Sequence, residues 1–266
     1  MASKAGLMTV LAERHRSSSA PWARRLAAFA LVLFALSGLG HRYGLVDTPS
    51  FFWLLGIVVG LTILSLIAAA AAFVGLWERG DKGGRDATVA VLLSLLVMAP
   101  FAVSVWRLAI YPPLVDVSTD LLQRPSFELA AASRTPAMNA IEPATAANAR
   151  MQVEYYPEVT GRRYDAAPDI IAAAVLGLLD QRGWPLKRQV TAPAAGDLTV
   201  EATAYSFWLG FPADISVRLV DEGQSTFVDM RSASRYMRHD LGDNARRVID
   251  FLADLDATLR APPPEE

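Results

Sequence analysis

The sequence contains no cysteine, which removes disulfides, thiolate metal sites and a cysteine nucleophile together. Histidine is almost as scarce. His15, His41 and His239 are far apart and fall on different predicted sides of a membrane, so no histidine zinc cluster forms and no cofactor is expected. A phosphate loop is missing too, because Gly80-Asp81-Lys82-Gly83-Gly84 lacks the required spacing and the Ser/Thr. There is no G-x-S-x-G elbow. Finally, the long apolar stretches carry no Asp, Glu, Lys or Arg at mid-depth, which argues against an ion or proton pathway.

What the chain does have is uninterrupted apolar length. Runs from about Leu26 to Gly40, Phe51 to Trp77 and Ala87 to Trp106, with their flanks, approach or exceed the ~20 residues needed to cross a ~30 Å hydrocarbon core. Trp22, Trp53, Trp77, Trp106 and Tyr111 fall near the run ends, where amphipathic rings favour the lipid–water boundary. Gly56 and Gly60, continued by Ala68 and Ala72, form a small-xxx-small series that reads either as packing within the anchor or as a seam between two copies, a homo-oligomer.

Charge is divided along the chain. Residues 1–111 hold ten Lys and Arg against five Asp and Glu; residues 112–266 hold fifteen against twenty-two. An acidic polar half lacks the clustered cations that nucleic acid requires, so the expected partners are membrane lipids and an envelope lipid or protein. Lys4, Arg14, Arg16, Arg24 and Arg25, with Arg79, Lys82 and Arg85 of the second loop, lie on one predicted side, against Arg42 and Arg107 on the other. Because Lys and Arg accumulate on the cytoplasmic side, the N-terminus is expected there, and three crossings put the C-terminal half outside. The expected address is the bacterial inner (plasma) membrane, with a periplasmic domain. Were the first run a cleaved signal peptide, the sidedness would not change.

The expected divisions are a basic tail 1–22, a transmembrane anchor 23–111, a linker 112–157, an α+β domain 158–261 and a tail 262–266. Pro112-Pro113 ends the third helix, and the Pro- and Ala-rich stretch after it shows no lasting apolar period. Asp165–Gly183 reads as a helix, with Pro168 in its first turn and Ile171, Val175, Leu178 and Leu179 on one face. Period-two alternation predicts strands over Trp184–Thr191, Leu198–Phe207, Ile215–Leu219 and Ser225–Ser234, with turns at Gly196-Asp197 and Asp221–Gln224. A last helix is expected from Asp240, striped by Leu241, Ala245, Val248, Leu252, Leu255 and Leu259. The fold class is therefore a membrane α-helical anchor of three transmembrane helices, then an antiparallel sheet of about four strands with two helices on one face. The other face, carrying Glu201, Tyr205, Arg218, Asp229 and Arg231, is expected as a surface of paired charges.

Several blocks are less generic: Tyr156-Pro157-Glu158-Val159, Gly161-Arg162-Arg163-Tyr164-Asp165, Phe207-Trp208-Leu209-Gly210-Phe211, Val228 to Arg235, and Asp240-Leu241-Gly242-Asp243-Asn244-Ala245-Arg246-Arg247. The series resembles the domain-of-unknown-function 1499 family over about residues 112–258. Asp116–Asp120 resembles that family's entry motif, although Val115 stands where a His is expected. The resemblance implies a membrane-tethered domain and supplies no catalytic residues.

The candidate ligand-binding residues are Arg231, Ser232, Ser234, Arg235, Asp240, Asn244 and Arg247, with Trp208. Arginine binds carboxylate or phosphate bidentately, and a helix opening at Asp240 offers free N–H groups to an anion. The expected ligand is an anionic or polar head group of a lipid or envelope precursor, against the alternative of a buried network that locks strand to helix. An enzyme using the same corner, or a structural subunit of a membrane complex, are the other readings. Ser234, His239 and Asp240 are weighed as a hydrolytic set, against which stands the sequence adjacency of His and Asp. Phe207, Trp208 and Phe211 read as a hairpin corner packed on the core, as a cleft lining, or as rings dipping into the outer leaflet.

Overall fold

The computed structural model describes residues 15–191 and 197–260, and their side chains except at 188–191. Lys4 and Arg14 of the basic tail, Gly196 of the expected turn and the proline-rich end lie outside the described residues. Two compact units emerge.

The first holds the chain up to Gly40 together with Ser50–Ala102. It is built from α1 (Ser19–Arg42), α2 (Thr48–Arg79) and α3 (Gly84–Ile110), whose last residues pass into the second unit. All three helices are long and apolar enough to cross a membrane, since at about 1.5 Å per residue each exceeds ~30 Å. The seam between them is made of alanine. Ala23, Ala27, Ala69 and Ala90 form one buried cluster, and Ala20, Ala72 and Ala87 another. Ser65 Oγ donates to the Ala23 carbonyl at 2.8 Å and accepts from Ser94 Oγ at 3.3 Å.

Gly56 and Gly60 are not part of that seam: both are exposed, and an added Cβ would meet nothing within 4 Å. Through its middle, α2 buries Val58, Thr62, Ser65, Ala69 and Ala72, a heptad-like series. At 100° per residue, Gly60 is half a turn out of phase with Ala69. At one end of this unit the chain before α1 meets the α2–α3 loop, with the Ser17 N–H donating to the Lys82 carbonyl at 3.0 Å and the Lys82 N–H to that of His15 at 2.9 Å.

The second unit holds His41–Pro49 and the chain from Val103 onward. Its sheet has six strands, two more than expected: β1 (Asp116–Ser118), β2 (Arg162–Tyr164), β3 (Leu186–Thr191), β4 (Leu198–Tyr205), β5 (Pro212–Asp221) and β6 (Thr226–Ser234). Every pairing is antiparallel, in the order β1-β6-β5-β4-β3, and β2 shares the β1 edge of β6. The two additional strands are three residues each, too short for alternation to register.

Register puts Val200, Ala202, Ile215, Val217, Val228 and Met230 on one face. There they pack against α6 (Pro168–Gln181) and α7 (Asp243–Arg260) through Ile171, Val175, Leu178, Leu179, Val248, Phe251, Leu252 and Leu255. The first of these helices closes with a Schellman pair: the Gly183 N–H donates to the Asp180 carbonyl at 2.8 Å and the Trp184 N–H to that of Leu179 at 2.9 Å. Leu241, expected in the stripe of the last helix, precedes it instead with φ at 58°.

The opposite face is not a surface. Through the middle of β4, β5 and β6 the residues of both faces are buried, Arg218 is half-buried, and only Tyr205 of the expected charged face, at the end of β4, stays exposed. The cover comes from 112–157, the stretch expected as a linker, which here supplies β1, α4 (Leu129–Ser133) and α5 (Ala146–Tyr155) and belongs to the second unit. Phe127 and Ala130 pack on Ala233, and Ser216 Oγ donates to the Ser126 carbonyl at 2.8 Å.

Phe251, fully buried with its ring stacked 5.8 Å from Trp184, is the largest side chain joining α7 to this core. Phe251→Ala is expected to destabilise the sheet domain by about 3–5 kcal/mol. Pulse proteolysis of the full chain in detergent across a urea series checks this.

Candidate functional site

Alternation along β6 divides the predicted corner between two faces. Arg231 and Arg235 point to the covered polar face, whereas Ser232 and Ser234 point to the helix side, one strand thickness away.

On the covered face, each buried acid of the sheet has its donors. Asp116 receives Arg231 Nε at 3.0 Å and Nη2 at 2.7 Å, together with Arg124 Nη2 at 2.5 Å. Arg231 also donates to the Pro125 carbonyl at 3.0 Å and stacks 4.6 Å over the Phe127 ring. Asp214, fully buried, is shared by Arg235 at 2.7 Å, Arg134 at 2.8 Å and Lys187 at 3.3 Å. Burial alone would push its carboxyl up, but the hydrogen bonds and charge of Arg235, then Arg134 and Lys187, outweigh that and hold it below the usual range. Glu201 accepts three backbone N–H groups, from Glu128 at 2.7 Å, Leu129 at 3.0 Å and Ala130 at 2.8 Å, at the opening of α4. Asp229 is paired with Arg218 and accepts from Thr119 Oγ1 at 3.2 Å; burial nevertheless leaves its carboxyl raised. Two arginines, Arg124 and Arg134, three N–H groups and the Thr119 hydroxyl that satisfy these acids all come from residues 119–134, so the polar face is a locked internal network.

The helix-side cluster is different. Ser232 Oγ donates to Asn244 Oδ1 at 2.7 Å, and Asn244 Nδ2 donates to the Val115 carbonyl and to Ser234 Oγ, both at 3.0 Å. Arg247 Nη1 donates to Asn244 Oδ1 at 2.7 Å and Ser232 Oγ at 3.0 Å, two neutral oxygens. Among the described residues with described side chains, Arg247 is the one arginine at least partly buried that has no carboxylate within 4.0 Å. Burial pushes its pKa below the usual arginine range, with Asp243 and Asp240 acting the other way.

Those two acids are already engaged. Asp240 accepts from the Gly242 and Asn244 N–H groups, both at 2.9 Å, and burial raises its carboxyl despite these bonds. Asp243 is paired with Arg107 at 2.9 Å, and Arg107 lies in the last turn of α3. The Tyr111 carbonyl, just past that helix, accepts from His239 Nε2 at 3.0 Å. The cluster thus sits where the chain leaves its third apolar helix.

Both ring nitrogens of His239 are engaged with the backbone. Its Nδ1 accepts the Leu241 N–H at 2.9 Å, which fixes the Nε2–H tautomer used toward Tyr111, and Ser234 Oγ faces Asn244 instead. A groove of about 410 Å³ is lined by Leu176, Leu179, Asp180, Gly183, Trp184, Pro185 and Leu186, and includes neither Arg231, Arg247 nor Trp208. Trp208 lies in the β4–β5 turn, exposed and away from the corner's hydrogen bonds. Of the residues that build this network, Arg124, Arg134 and Asp214 carry no local signal in the sequence, whereas Asp116 stands in the polar patch Asp116–Asp120.

A family model described as "Protein of unknown function (DUF1499)" matches residues 116–255, just over half of the chain. Searches of the curated proteins and of the solved structures each find no match.

Removing Asp214 strands three cations. Asp214→Ala is expected to cost about 3–5 kcal/mol, read from denaturation of the full chain in detergent. Because its folded pKa is depressed, the contribution of Asp214 is complete above about pH 4 and is lost as the pH falls through the lower folded value. Asp214→Asn should therefore flatten the acid limb of the stability profile.

Proposed function

The chain belongs to the DUF1499 family of proteins of unknown function, and from that premise we propose that it is a membrane-anchored extracytoplasmic binding module. Its ligand is an anionic or polar head group of an envelope lipid or partner, received at the Ser232, Ser234, Asn244 and Arg247 corner. One observation carries the reading: the Arg247 guanidinium is held at neutral oxygens with no carboxylate partner, so an incoming anion would supply the charge that the fold withholds. Its position supports a lipid source, because Arg107 and Tyr111 tie the corner to the end of α3, where head groups of the bilayer lie. Arg231 and Arg235 are assigned to the structural network, and Trp208 is assigned elsewhere.

The sidedness follows the positive-inside rule. Arg16, Arg24, Arg79, Lys82 and Arg85 collect around the end where the chain before α1 meets the α2–α3 loop, so that end is cytoplasmic and the sheet domain is periplasmic. In a bacterial host, alkaline phosphatase fused after Arg260 should be active and the same enzyme fused into the loop at Gly83 inactive; the reverse pattern would overturn the orientation.

The ligand is tested on the full chain in nanodiscs doped with phosphatidylglycerol. Native mass spectrometry should find retained phosphatidylglycerol on the wild type and on Arg246→Gln, an exposed neighbour. Arg247→Gln should retain at least about tenfold less, as expected for loss of a charge-assisted hydrogen bond worth about 1.5–3 kcal/mol. Equal retention by all three, with lower stability of Arg247→Gln, would leave the corner as a structural lock.

A further inference from the structure

The β4–β5 turn holds the most exposed aromatic pair of the second unit. Phe207 is 78% and Trp208 82% exposed, their rings edge to face at 5.5 Å. A soluble turn has no reason to present two such rings to water. The turn is also tied down. His41 Nδ1 donates to the Leu209 carbonyl at 2.6 Å while its Nε2 meets Thr48 Oγ1 at 2.9 Å. Arg42 donates to the Phe207 carbonyl, and the Phe211 ring lies 5.2 Å from that of His41. Gly210 completes the fit: with φ at 71°, an added Cβ would come within 3.1 Å of the Arg42 backbone.

The segment it is tied to is the five-residue connection between α1 and α2. A chain that leaves one apolar helix at Arg42 and enters the next at Thr48 has no length with which to depart from the lipid–water boundary. Tyr43 and Leu45 in this connection are themselves 74% and 84% exposed.

We propose that Phe207 and Trp208, with Tyr43 and Leu45, form a membrane-dipping knuckle, whose occupant is the interfacial zone of the bilayer in which the chain is anchored. Trp favours that zone because its ring is apolar and its indole N–H remains hydrated. The knuckle adds a second foothold beyond the covalent exit of α3, and so orients the sheet domain on the membrane. The bonds that hold the turn run to backbone carbonyls at Phe207 and Leu209, so side chains there are exchangeable without releasing it. This inference needs the three-helix anchor but not the Arg247 ligand.

The absence of native cysteine makes the test direct. Trp208→Cys, Leu45→Cys and, as a solvent control in the β5–β6 turn, Gln224→Cys are spin-labelled in the full chain, reconstituted at one chain per phosphatidylcholine/phosphatidylglycerol nanodisc. Collision rates with oxygen and with a water-soluble nickel chelate are then measured. The oxygen-to-nickel ratio at 208 and 45 should exceed that at 224 several-fold. Ratios at 208 equal to that at 224 would overturn the proposal. So would protection from nickel that appears only with two chains per disc, which would identify a second copy as the occupant.

Discussion

A sheet buried on both faces while one of them carries carboxylates must find a cation or a donor for each acid, and the rest of this domain follows from that requirement. Asp116, Glu201, Asp214 and Asp229 all sit on the face away from the helices. Leaving any of them unpaired would cost several kcal/mol. The segment after β1 answers by crossing the face with Arg124, Arg134 and the three N–H groups that Glu201 accepts. It makes the domain three-layered, and it removes from solvent the charges that the strand pattern alone presents as a surface.

The same alternation determines what can be a site. Arg231 and Arg235 lie one residue from Ser232 and Ser234, yet they serve an internal network on the other side of the sheet. What remains on the helix side is small and polar, with a single guanidinium bonded to neutral partners. Burial lowers the pKa of that guanidinium, with the charges of Asp243 and Asp240 acting the other way. That contrast between saturated and unsaturated arginines separates architecture from candidate function more sharply than composition does.

The second unit is also held at two points along its own chain. Arg107 and Tyr111 bind the start of α7, and His41 with Arg42 binds the β4–β5 turn. Both holds draw on residues within a turn or two of an apolar helix end, and those residues belong to the second unit itself.

Much of this was legible in the residues. The three apolar runs, the α6 face of Ile171, Val175, Leu178 and Leu179, the four long strands and the stripe from Ala245 to Leu255 all follow from local periodicity, because a single element buries one face whatever its neighbours are. Other features have no local period. Three-residue strands such as Asp116–Ser118 are too short to show one, and the reach of Arg134 to Asp214 spans 80 positions. Gly56 and Gly60 matched a packing motif, but the alanine face half a turn away made the seam. The sequence by itself determined the three long apolar helices, α6, α7 and the four longer strands, since those depend on spacing within a few residues. Only the tertiary structure decided which polar groups neutralise one another, since pairing across a sheet depends on what the rest of the chain lays over it.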